Sequence, residues 1–180
     1  MYPIDDILTE IETRLGSLQV ELRNGKSAQA FGCVKRFDAT DLAEAFSQLI
    51  VSQQRVALIV YTGERFENAG TDAGQVCVRR IVELTILTSD RVLGKRMAAV
   101  FGSDTTPGAL RLQSACRDAL AGEFLPAVSD THEAIDCVPI LAETISIQDI
   151  EEKQPGRVAA RLDIECRDRN ATPYPADSAD

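Results

Sequence analysis

"RVALIVYTGERFENAGTDAGQVCVRRIVELTILTS", residues 55–89, consists of two β-rich runs around a glycine-rich middle. The first run, 55–62, is compact, apolar and rich in β-branched residues, and Gly63 closes it. That is the profile of a strand buried on both faces, and it places the run at the middle of a sheet. The second run, 76–89, alternates in part, with Val78, Val82, Leu84 and Ile86 on one side, and reads as a strand that pairs with the first. Residues 63–75 hold three glycines and several charges and read as a long mobile loop, which makes the whole stretch a wide hairpin.

The flanks alternate between helical and strand patterns. Ile4, Ile7, Leu8, Ile11 and Leu15 follow the spacing of one helix face, with Gly16 as the stop. A turn at Asn24-Gly25 precedes a short strand around 29–36. Thr40-Asp41 with Glu44 resembles a helix cap in front of an apolar stripe, predicting a second helix to about residue 53. Thr106-Pro107 opens a third helix and Gly122 closes it, with Leu112, Ala115, Cys116, Ala119 and Leu120 on its inner face. Strands near 138–148 and 158–167 follow, joined at the Pro155-Gly156 turn. In the last strand Val158, Ala160, Leu162, Ile164 and Cys166 alternate with Arg161, Asp163, Glu165 and Arg167, so one face is oily and the other charged. Hairpins interrupted by helices give the α+β class, with one domain over 1–169 and a disordered polar tail over 170–180.

Composition narrows the function. A formal charge of -9 does not fit a sequence-specific nucleic-acid reader, which needs a clustered basic surface, and it disfavours acidic membranes. The N-terminal "MYPIDDILTE" is acidic where a signal peptide is basic, and no segment reaches ~18 uninterrupted apolar residues. The chain is therefore expected to be soluble and cytoplasmic. Cys33, Cys77, Cys116, Cys137 and Cys166 are odd in number, contain no CxxC pair and lie in apolar or periodic stretches, which fits reduced, buried thiols better than disulfides or zinc.

No catalytic set emerges. His132 stands beside Asp130 and Glu133 in an acidic loop without a nucleophile elbow. "LGKR" at 93–96 has Ser89 where a phosphate loop needs its first glycine, and "NAT" at 170–172 fits a glycosylation acceptor only by chance. Asp149, Glu151 and Glu152 lack the spacing and glycine of a calcium loop. The expectation is no enzyme, no cofactor and no metal.

Five stretches together resemble the tail-terminator-like proteins of Mu-like bacteriophages and prophages: "IDDILTEIETRL" at 4–15, "VALIVYTGE" at 56–64, "RRIVELTILTSD" at 79–90, "TPGALRLQSACRDALAGEFLP" at 106–126 and "RVAARLDIECRDR" at 157–169. The resemblance covers nearly the whole chain. It implies a single α+β domain in which about three helices pack on a mixed, largely antiparallel sheet of about four to five strands. It also implies a structural virion assembly protein that forms a ring, typically a hexamer, on the end of the tail tube. Such a ring stops tube polymerisation and joins the neck. The implied partners are further copies of the chain, the tail tube protein and the neck or head-completion proteins, with DNA passing through the ring. The implied place is the host cytoplasm during assembly and then the virion tail.

Within that resemblance Arg161, Asp163, Glu165 and Arg167 face a neighbouring subunit or the central passage, or else form a wet outer sheet face. The 63–75 loop, with Glu64, Arg65 and Phe66, is the second expected interface. A head-tail connector of similar fold ranks next. A small-molecule-binding regulatory domain and an unrecognised hydrolase around His132 follow it.

Overall fold

The computed structural model describes residues 3–38, 55–72, 74–92, 95–124, 135–144 and 157–173. In order, the elements are α1 (Ile4–Gly16), β1 (Gln19–Glu21), β2 (Ser27–Gln29), β3 (Cys33–Asp38), β4 (Arg55–Asp72) and β5 (Gln75–Arg91). There follow α2 (Arg96–Phe101), α3 (Ala109–Leu120), β6 (Gly122–Phe124), β7 (Ile135–Thr144), β8 (Arg157–Asp168) and β9 (Thr172–Pro173). The main sheet runs β3-β4-β5-β8-β7-β6, with β9 added to β5, and is antiparallel except for the β3–β4 pair. β1 and β2 form a separate antiparallel ribbon.

The α+β class and the antiparallel pairings of β4 with β5 and of β7 with β8 match the expectation. The sheet is wider than the four to five strands expected, with seven among the described residues. β6 and β9 are too short to leave a periodic signal. β4 is buried on both faces from Val56 to Val60, yet it lies second from one edge, and β5 and β8 occupy the centre. The expected helix over 40–53, the His132 loop and the acidic turn at 149–152 lie outside the described residues. The expected tail begins with residues that pair: Thr172 and Pro173 lie opposite Val78 and Cys77.

The sheet has two chemically different faces. On one, Ala57, Ile59, Val82, Leu84, Ile86, Leu162, Ile164 and Cys166 form a cluster with Ile7, Ile11 and Leu15 of α1 and Leu112, Cys116 and Leu120 of α3. Burying each of the Val, Leu and Ile side chains among them contributes roughly 1.5–3 kcal/mol, so this layer supplies most of the driving force. Arg36 of β3 fastens α1 through Glu12 (2.6 Å) and Asp5 (2.7 Å). Gln113 of α3 donates to the carbonyls of Arg161 (2.6 Å) and Glu143 (3.0 Å), which are opposed across β8 and β7. On the opposite face Val56, Leu58, Val60 and Leu87 form a smaller cluster with Cys33 and Phe37.

The third helix begins later than Thr106-Pro107, at Ala109, and an additional short helix, α2, precedes it. Thr106 and Pro107 sit in a tight turn bounded by Gly102 and Gly108, both at positive φ. A Cβ on Gly108 would lie 2.3 Å from the Gly102 nitrogen, so the close approach demands glycine. Fully buried Asp90 holds this turn by accepting hydrogen bonds from the Thr106 hydroxyl and the Gly108 N–H (3.0 Å). Gly122, expected to close the helix, stands at positive φ just past its Ala121 cap, and it also opens β6.

Candidate functional site: a charged sheet face

Residues 63–75 form no loop. β4 and β5 stay paired from Arg55 and Asp90 out to Asp72 and Gln75, with Gly74 in a turn. The glycines mark irregularities in the ladder rather than a coil: register shifts fall between Tyr61 and Gly63 and between Asn68 and Gly70. The outer half of the hairpin is mostly exposed and projects beyond the part of the sheet that the helices cover.

The first of these bulges decides which residues meet. Because strand side chains alternate with a period of two, one inserted residue moves every later side chain to the other face. Before the bulge the odd residues Ile59 and Tyr61 lie on the helix side; after it, the odd residues Arg65 and Glu67 lie on the opposite side. Arg65 then reaches β5 and β8. Its Nη1 donates to Glu165 (2.8 Å) and Glu83 (2.5 Å), and its Nη2 to Glu67 (3.2 Å).

Glu83 and Glu165 are directly opposed across β5 and β8, a like-charge pair that would repel without the guanidinium of Arg65 between them. Arg167 holds the second oxygen of Glu165 through Nε (2.8 Å) and Nη2 (2.5 Å). Burial pushes the Glu165 pKa up, but the hydrogen bonds from Arg65 and Arg167 outweigh that and leave it below the usual glutamate value. Arg65 is correspondingly raised, first by Glu165 and then by Glu83.

A second group lies beside the first. Asp163 accepts from the Thr85 hydroxyl (2.7 Å) and from Arg161 through Nε (2.8 Å) and Nη2 (2.8 Å), while Arg161 also faces Glu143 of β7 at 3.5 Å. Hydrogen bonding to Asp163 leads the causes that raise the Arg161 pKa. Between the two groups is an open groove of about 340 Å³, with Thr62 and Ile140 on its walls.

Arg65, Arg161, Asp163, Glu165 and Arg167 therefore share one face, as the alternation in β8 required. Glu64 and Phe66 do not join them. They lie opposite Val82 and Arg80 on the helix side of the hairpin, where Phe66 is 51% exposed. Reading the strands singly missed Glu67, Glu83, Thr85 and Glu143. Glu83 and Thr85 were legible as the residues that interrupt "RRIVELTILTS" on the side opposite Val82, Leu84 and Ile86.

Chemically, this face is a fixed array of acceptors. Each of its three guanidiniums is engaged by carboxylates, and five carboxylates surround them. Pairing pins long side chains in one geometry, which favours recognition of a complementary polar surface over proton transfer. Among the described residues no cluster of three or more His, Cys, Asp or Glu is placed to hold a metal ion, and no helix is long and apolar enough to cross a membrane.

No protein-family model matches the chain, and no curated protein matches it.

Proposed function

We propose that the protein is a structural assembly protein of a phage or prophage tail, a terminator that forms a ring on the end of the tail tube. In this reading it stops tube polymerisation and offers its other side to the neck. It acts in the host cytoplasm during assembly and remains in the virion tail, with DNA passing through the ring.

The observation that carries the reading is the charged face of β4, β5, β8 and β7. It is a broad, pre-ordered polar surface at the centre of the sheet, turned away from α1 and α3. Paired charges at a subunit boundary set register and reject wrong partners, even where each contributes only about 0–1 kcal/mol. Further support comes from the projecting hairpin, which reaches past the core of its own subunit. The acidic charge also fits a conduit that does not retain the passing duplex.

The test is the solution mass by light scattering across a wide concentration range, followed by electron microscopy with purified tail tubes. A concentration-driven climb to a six-chain mass and rings seated on tube ends are expected. A monomer at every concentration that also leaves tube ends bare overturns the proposal.

A further inference from the structure

Cys137 of β7 and Cys166 of β8 are directly opposed in the antiparallel ladder. Both are free, and both are almost fully buried on the helix-covered face. Two residues on, Pro139 faces Ile164 and has no N–H to give to β8. Directly opposed residues of an antiparallel ladder have Cα atoms about 4.5–5.5 Å apart, whichever of the two alternating kinds of pair they form. That separation lies within the range a disulfide spans.

We infer that Cys137 and Cys166 are a latent cross-strand disulfide, reduced in the structure and formed by exchange with a small-molecule disulfide such as oxidised glutathione. The thiolate of one cysteine attacks a sulfur of the oxidant and releases one glutathione thiolate, leaving a mixed disulfide. The second cysteine thiolate then attacks the protein sulfur of that mixed disulfide, forms the Cys137–Cys166 bond and expels the second glutathione. Two protein S–H bonds are exchanged for one S–S bond, and the oxidant takes up two electrons and two protons.

The location gives the bond its consequence. β7 carries Ile140 and Glu143 to the charged face, and its only outer partner among the described residues is the three-residue β6, which pairs no further than Cys137. Beyond Cys137 it is therefore, among the described residues, an edge that can fray, and the bond ties it to central β8. The Cys166 thiol stands well above its usual pKa, first through hydrogen bonding with Cys137 and then through burial. Exchange is accordingly slow in the closed protein and proceeds through opening of the β7 edge.

The experiment uses the whole chain incubated with oxidised glutathione at pH 8, with and without 1 M urea. Readouts are intact mass, non-reducing peptide mapping and thermal unfolding. The expected product has lost two hydrogens, carries a 137–166 cross-linked peptide, forms several-fold faster in urea and melts roughly 5–15 °C higher, the scale expected when a long loop is closed. Glutathione adducts alone, a bridge through Cys116, Cys33 or Cys77, five free thiols after prolonged incubation, or a linked product that melts no higher would each overturn the inference. The measurement is made on the wild-type chain and so does not depend on any variant folding.

Discussion

Glu165→Gln keeps the shape of the side chain and removes the charge at the centre of the β4–β5–β8 network. Glu165 is buried, whereas the side chains of its partners Arg65 and Arg167 are about two-fifths exposed. Losing one partner of a fully buried pair costs 3–5 kcal/mol and losing an exposed pair well under 1, so this half-covered arrangement is expected to lose about 2 kcal/mol. For a chain of this size that corresponds to a fall of roughly 4–8 °C in the thermal midpoint at neutral pH.

The effect carries a pH signature. The folded pKa of Glu165 lies below the value of ~4.3 for an unfolded glutamate, so in that window the unfolded chain binds the additional proton. The contribution of the carboxylate is complete above about pH 5 and fades as pH falls through its folded pKa. Thermal unfolding of both proteins by circular dichroism at pH 7, 5, 4 and 3 is the assay. The gap between them should be constant from pH 7 to pH 5 and close below that. A gap that stays the same down to pH 3 would refute the ionic account, because a purely steric loss does not titrate. No gap at pH 7 would show that the arginines hold solvent as readily as they hold Glu165.

Further outcomes follow from the same geometry. Gly108→Ala places a methyl carbon 2.3 Å from the Gly102 nitrogen, and should cost several kcal/mol and sharply reduce the soluble folded fraction measured by gel filtration. Leu112→Ala opens a cavity in the layer between α3 and the sheet and should lower stability by about 2–5 kcal/mol in urea titration. Exchanging the charges of Arg161 and Asp163 (R161D with D163R) keeps a pair within the chain but inverts what the face presents. Assembly by light scattering should fall with little change in melting, and unchanged assembly would remove this face from the interface. In hydrogen exchange, amides of 64–72 should exchange well before those of 56–60, because the outer hairpin has little buried surface around it.

The parts of the fold written in periodicity were legible in the sequence. The α1 stripe of Ile7, Ile11 and Leu15, the doubly buried run from Val56 to Val60 and the two-faced β8 strand all lie where spacing put them. Elements that depend on distant partners were not. β6 and β9 are three and two residues long and exist because β7 and β5 offer an edge to pair with. The turn before α3 was read as a helix start because Thr106-Pro107 is a good local match, whereas its real conformation depends on Asp90, sixteen residues earlier in the chain.

The glycines of β4 are where local pattern and fold part most widely, and that departure explains the site. In the sequence Gly63, Gly70 and Gly74 together spell a coil, yet only Gly74 is in a turn, and the other two sit at breaks of register inside a continuous ladder. Local sequence does not separate these cases, since a bulge and a loop both want glycine and the distinction lies in whether β5 continues opposite. With Gly63 at a bulge, the charges of β4 must change faces at that point. Arg65 and Glu67 are delivered to Glu83 and Glu165, while Glu64 and Phe66 turn to the helix side. Deleting Thr62 would take out the extra residue and leave plain alternation with Gly63 still opposite Glu83 and Arg65 still opposite Ile81, so Arg65 should keep its place between Glu83 and Glu165. The bulge thus absorbs one residue of β4 so that Arg65 keeps the register that meets Glu83 and Glu165, and the charged face rests on that register as much as on the charges of β8.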